Sequence, residues 1–305
     1  MFENSSFFTK IFMIAFIVIS CFLIIFVIGL VLAIPIFDLN IFTDPSILDS
    51  ENLKKNVDFL KYLQILQSVG LFVLPPFIIA FLFSYKIKNY LKLDTGISPS
   101  FFIIAVIVMI SGLPIIEFLA RINSFLELPE FMSGIENWMK NAEEKAAELT
   151  AIFLQTKGFN DLLVNLLMIA IIPAIGEELL FRGVVQKVFI DLTKNIHWGI
   201  FISAFIFSAG HFQFYGFLPR LALGMFFGYL LVWSGSIWLP IIAHFVQNAM
   251  AVFFYHFFAD KFSEEEIFEL SENYIDSNLL LILSFLVLIS GIFIIRMINR
   301  RKVQV

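Results

Sequence analysis

The chain is expected to fold as an all-α, polytopic transmembrane helix bundle. Three observations lead there. Apolar runs of about 20 residues, enough to cross about 30 Å of hydrocarbon, recur along its whole length. Hydrophobic residues make up 60% of the 305, with a mean hydropathy of +0.92, and only 15% are charged. A soluble domain carries about 25% charged residues. A transmembrane barrel would instead show alternating segments of about ten residues, and none occur. The net charge of −5 comes with no basic cluster of the kind that binds nucleic acid, so that class of partner is excluded.

Eight spans are read in order, at about 11–37, 66–85, 100–120, 162–186, 198–214, 217–233, 236–257 and 278–296, forming one integral-membrane domain over residues 1–305. The first follows Lys10 and is longer than the apolar core of a secretory signal, about 7–15 residues, so it is expected to be retained. It holds Cys21, the sole cysteine, so no intrachain disulfide forms. Pro75-Pro76, Pro114, Pro173 and Pro240 fall inside spans, where each removes a backbone donor and frees a carbonyl that needs another partner. Pro173 and Gly176 come just before Glu177, so the helix is expected to loosen there. Gly224-x-x-x-Gly228 in the sixth span permits close helix packing and is assigned no chemistry.

The loops orient the spans. Lys86, Lys88 and Lys92 form one cluster, Lys187 and Lys194 another, and Arg296, Arg300, Arg301 and Lys302 a third. If the spans alternate, all three fall on one side, which is then cytoplasmic, as are both termini. The opposite side carries an acidic excess, clearest at 260–273. The expected location is the plasma membrane of a bacterium. Two external segments are long. Residues 38–64 contain Asp44-Pro45-Ser46, a turn or helix start, and residues 122–160 contain an Ala-, Glu- and Lys-rich stretch with apolar residues at helical spacing. The latter is read as an amphipathic helix capping the bundle or lying on the membrane surface, with substrate admission as its other possible role. No internal repeat is evident, so the inverted-repeat signature of many transporters is missing.

Chemistry concentrates in the fourth, fifth and seventh spans. Glu177 and Glu178 are adjacent in LLMIAIIPAIGEELLFRG, and intramembrane carboxylates are costly enough that they usually carry function. Arg182 is four residues after Glu178 and shares its helix face, which suits a buried bidentate pair. Glu177 points about 100° away from that pair, which leaves it free to act as a general base. His211 lies in FSAGH, and His244 and Asn248 lie one turn apart in HFVQN. A His and an Asn side by side can donate to a developing oxyanion. Alternatively, Glu177, His211 and His244 supply the two-His, one-Glu set of a catalytic Zn²⁺, although no H-E-x-x-H occurs. His197 and His256 lie near span ends and are read as interfacial.

These residues carry a resemblance. E-E-L-L-F-R-G at 177–183, F-x-x-x-H at 207–211 and H-x-x-x-N at 244–248 resemble the CAAX prenyl endopeptidase and bacteriocin-processing family of intramembrane proteases, as does GYLLVWSGSIWLPIIAHFVQNA at 228–249. The motif-bearing region covers about 160–255. The resemblance implies an endopeptidase acting on a membrane-associated protein or peptide. It implies that Glu177 and His211 activate water, that His244 and Asn248 bind the oxyanion, and that Glu178 and Arg182 support the first motif. Both metal-dependent and metal-free glutamate mechanisms are compatible with it. The metal-free one is favoured here, because Asn248 stands where a second oxyanion donor is needed. Two other functions compete: a non-catalytic bacteriocin-immunity or membrane partner protein on the same scaffold, and a transporter with a proton-carrying carboxylate. At about 1.5 Å per residue, Glu177 and His244 come to roughly similar depths of 20–22 Å from the outer surface, whereas His211 comes to only about 10 Å. The span boundaries near 195–214 are therefore the weakest.

Overall fold

The computed structural model describes residues 2, 5–39, 43–126, 129–154, 158–258 and 278–303. The acidic stretch 260–273 and the side chains of Arg300, Arg301 and Lys302 lie outside the described residues. The described chain is all-helical, with no strand. The principal helices are α1 (Phe7–Phe37), α2 (Val57–Ser84), α3 (Pro99–Ser111), α4 (Leu113–Ser124), α5 (Ser133–Leu154), α6 (Phe159–Thr193), α7 (Ile196–Ala209), α8 (Phe217–Ser234), α9 (Trp238–Phe258) and α10 (Asn278–Val303).

Every expected span contains a helix, but the lengths differ from the sequence reading. Six helices (α1, α2, α6, α8, α9 and α10) are long and apolar enough to cross a membrane alone. α3 and α4 make a seventh crossing only as a pair bent by 44° at Gly112, where Pro114 interrupts the ladder. α7, in place of 198–214, has only 14 residues, about 21 Å of helix. α2 begins nine residues before the expected 66, so the external segment 38–64 already ends inside it. Its early turns hold Lys61, a buried lysine in electrostatic contact with Asp161 and Asp58, and that charge interrupts the apolar run. α6 likewise runs seven residues past the expected 186.

α6 is the centre of the bundle. Of its most apolar window 44% is buried, against 17% for α1 and for α10, which therefore form the outer wall. Its helix is interrupted twice by π turns, at Leu166–Ile171 and Phe181–Val185, and α2 has one at Val69–Val73. Two of the three stand just before prolines, Pro75-Pro76 and Pro173. A proline ring collides with the carbonyl four residues back, and a wider turn gives that carbonyl room. The loosening expected near Glu177 is thus present on both sides of it.

The two interrupted helices meet at Gly176. A Cβ there would stand 2.8 Å from Phe72 Cβ and 3.0 Å from the Phe72 carbonyl carbon, so α6 reaches this close to α2 only without a side chain. Gly176→Val is expected to destabilise the fold by about 1–3 kcal/mol, the usual cost of overpacking. The check is a lowered thermal midpoint of the purified variant in detergent.

The basic loops lie together at one end of the bundle. Ile237 N–H donates to the Lys92 carbonyl at 3.2 Å, Trp238 Nε1–H donates to the Leu93 carbonyl at 3.2 Å, and Arg296 stacks 4.8 Å over Trp233. At the other end, Asp44 accepts from Ser46 N–H and starts the short 3₁₀ helix Pro45–Leu48. α5 is the amphipathic helix foreseen in 122–160, and it packs on α2 and α9. The Lys54–Glu148 ion pair at 2.5 Å ties it to the helix Ser50–Lys55, and Trp138 meets Phe212 edge-on at 6.5 Å.

Candidate active site

Glu177 and Glu178 occupy the short α-helical stretch Ile172–Leu180 between the π turns of α6, and Arg182 is in the second π turn. Glu178 Oε1 forms an ion pair with Arg182 Nη1 and accepts a hydrogen bond from His244 Nδ1, both at 2.9 Å. All three residues are buried, at 0%, 1% and 5% exposure, so these charges have only each other and nearby dipoles for solvation. Arg182 Nη2 also donates to the Gly224 carbonyl at 3.1 Å, and its guanidinium lies 4.7 Å from the Phe207 ring centre and 5.5 Å from that of Phe227. A buried ion pair repays its desolvation only with such additional partners. The i, i+4 pair expected from the sequence is therefore present, and it also holds a histidine.

The histidine's orientation follows from the carboxylate. Nδ1 of His244 donates to the Glu178 carboxylate, so Nε2 is the ring nitrogen left for other partners. That nitrogen faces Glu177, whose Oε2 is 3.9 Å away. The ring is stacked on Phe227 at 5.3 Å and is thereby fixed in plane. Glu177 keeps 12% side-chain exposure where Glu178 has none. Two adjacent carboxylates thus differ sharply: one is locked in an ion-pair network, and the other is open on one side with an imidazole nitrogen near it.

The glycines of α8 make the network possible. A Cβ at Gly224 would meet Ala204 Cβ at 3.0 Å, and one at Gly228 would meet Ile200 Cγ2 at 2.9 Å. Without side chains α8 sits directly against α7, as the packing interpretation expected, and its carbonyls come within reach of α6. Gly224 accepts from Arg182 and Gly228 from Gln186 Nε2 at 3.3 Å.

His211 and Asn248 stand differently. His211 lies just past the end of α7, exposed, with Nδ1 2.8 Å from the Phe207 carbonyl oxygen. The Phe207 ring meets both histidines edge-on, His211 at 4.9 Å and His244 at 6.3 Å. The depth mismatch noted from the sequence disappears once α6 is followed to Thr193. From the turn joining α6 to α7, Glu177 and His211 lie about 24 Å and about 22 Å along their helices. Asn248 Nδ2 donates to the Ile169 carbonyl at 2.9 Å. That carbonyl is four residues before Pro173, which has no N–H to offer it. One amide proton of Asn248 thus serves the backbone and the second stays available.

Among the described residues, no three His, Cys, Asp or Glu side chains are arranged to hold a metal ion. Glu177, His211 and His244 are therefore not drawn into the three-ligand set weighed above.

Several neighbours of the site were not singled out from the sequence. Phe207 is the first residue of F-x-x-x-H, so a signal existed. Phe227 had none among forty phenylalanines. Arg220 was legible as the lone basic residue of an apolar span. Its Nη1 donates to the Gln213 carbonyl at 3.0 Å and its Nη2 to Gln213 Oε1 at 2.5 Å, and it interacts electrostatically with Glu177 and with Glu143 of α5.

Comparison with known proteins bears on the same region. The chain is 29% identical over 107 residues to an uncharacterized protein, YpbD, of Bacillus subtilis (strain 168), covering 33% of this chain and 52% of the relative. It is 29% identical over 110 residues to an uncharacterized 24.3 kDa protein of Escherichia coli, covering 35% and 50%. The chain thus spans about half the length of these relatives. No solved structure matches it. Residues 159–250, which contain all six of the polar residues discussed, match the family described as type II CAAX prenyl endopeptidase, Rce1-like, and the resemblance carried by the three motifs is shown over that stretch.

Proposed function

We propose that this chain is an intramembrane endopeptidase that hydrolyses a peptide bond of a membrane-associated protein or peptide, using water activated by Glu177. The observation that carries the proposal is the contrast within the acidic pair. Glu178 is consumed by Arg182 and His244, while Glu177 remains partly open at 3.9 Å from His244 Nε2. The protease family matched by residues 159–250 supports the same reaction class.

In this mechanism Glu177 takes a proton from water as the oxygen attacks the carbonyl carbon of the scissile bond. His211, whose ring meets the same Phe207 as His244, orients that water. Negative charge then develops on the carbonyl oxygen. Asn248 stabilises it with its second amide proton, and His244, oriented by Glu178 through Nδ1, directs Nε2 at it. As the C–N bond breaks, Glu177 returns its proton to the departing amine. The catalytic core is residues 160–255 within one membrane domain, and the basic end of the bundle faces the cytoplasm.

The test compares peptides in membranes carrying wild-type protein or Glu177→Ala. Membrane peptides or precursors are expected to accumulate only with the variant. Identical peptide profiles at equal protein levels would remove the proposal.

A further inference from the structure

Two adjoining cavities open at the basic end of the bundle and share no residue with the Glu177 site. One, of about 270 Å³, is lined among others by Lys10, Ser84, Tyr90, Lys187 and Asp191. The second, of about 500 Å³, shares Lys10 and Asp191 and adds Lys194. They lie where three helices end together: the start of α1, the end of α2 and the end of α6. Three lysines therefore face one carboxylate. Among the described residues, none of these three lysines is in an ion pair within 4.0 Å. Lys187 is half-buried, with its ammonium 4.5 Å over the Tyr90 ring; the nearby Lys92 adds positive charge, and Asp94, like Asp191, offsets part of it. Lys10 is held in the same way over Phe83 at 5.9 Å. Aromatic rings fix these two ammonium groups but do not neutralise them.

An excess of fixed positive charge around a cavity calls for an anion, and its surroundings indicate which. Lys10 stands on the outer helix α1, where Phe8, Phe12 and Phe16 are 81%, 70% and 62% exposed. A basic cavity lined also by the exposed Leu192, beside a helix whose other face carries that outward aromatic stripe, matches a molecule with a phosphate head and apolar tails. We propose that these cavities form a binding site for the headgroup of an anionic phospholipid, its phosphate between Lys10 and Lys187 and its acyl chains along α1. Because Lys187 is on the same helix as Glu177, Glu178 and Arg182, the bound lipid would fasten α1 to the helix that carries the candidate site.

The test measures lipid retention by native mass spectrometry, and thermal midpoint, after incubation of the full chain with phosphatidylcholine alone or mixed with phosphatidylglycerol. Wild type is expected to retain phosphatidylglycerol preferentially and to gain stability from it. Lys10→Gln is expected to weaken retention roughly fivefold, and Lys10→Gln/Lys187→Gln roughly 25-fold, following the usual strength of one basic side chain at an anionic surface. Lys86→Gln/Lys88→Gln removes two exposed lysines from the same end outside the cavities and is expected to retain lipid as wild type does. Equal losses in that control would reduce the effect to diffuse charge and overturn the site. Unchanged retention in Lys10→Gln, a substitution at the rim that the fold tolerates most easily, would also overturn it. Stabilisation by inorganic phosphate equal to that by the lipid would assign the cavities to a soluble anion and overturn the lipid assignment.

Discussion

Glu177→Gln is expected to lower peptide hydrolysis by about 10²–10⁴-fold, the range for loss of a general base. The amide keeps the size of the side chain but cannot take a proton from water. Its structural cost is expected to be small, because Glu177 makes no short hydrogen bond and keeps partial exposure, whereas Glu178 beside it is held by an ion pair and a hydrogen bond, both at 2.9 Å. Two measurements decide the matter together: turnover of the purified variant on a peptide that accumulates in its membranes, and its thermal midpoint in the same detergent. Near-normal turnover would exclude Glu177 as the base. Loss of turnover with a lowered midpoint would point to a structural role instead.

Arg182→Ala is expected to have the largest effect on stability, about 3–5 kcal/mol, the typical cost of leaving a buried charge without its partner. It strips Glu178 of its cation while the carboxylate remains fully buried, and it leaves the Gly224 carbonyl and the faces of Phe207 and Phe227 without the guanidinium they surround. Glu178→Gln/Arg182→Met removes both charges and fills similar volume, so it is expected to recover part of the loss. Yield and thermal midpoint of the two variants, measured side by side, provide the check. If Arg182→Ala is as stable as the wild type, the ion pair does not support the site.

How much of this was legible in the sequence depended on contrast. Charged and amide groups in apolar segments stand out, so the six polar residues of the candidate site and the spacing of Glu178 and Arg182 could be read directly. The helix limits were harder where a charged residue within a helix imitated a loop. Lys61 hid the first turns of α2, and Lys187 and Asp191 hid the last turns of α6. That second error misplaced Glu177 relative to His211, because the end of its helix was set seven residues too early. The surroundings of the site were least visible. Phe207 and Phe227 shape Arg182 and His244, but forty phenylalanines leave nothing to distinguish those two. Asn248 shows a different limit, since its bond to Ile169 depends on a proline in another span.

The two π turns of α6 also bear on how such a helix can change. Each carries one residue more than a regular turn, so the stretch between them, with Glu177 and Glu178, has an azimuth set independently of the helix on either side. In a regular helix, inserting or deleting one residue rotates everything beyond it by about 100°. Here the slack already present means that such a change inside a π turn can be absorbed locally. Both flanks can then adapt to lipid, to α2 or to α7 while the acidic stretch keeps its direction towards His244. The direction of the two carboxylates is in this way insulated from drift in the length of the helix that bears them.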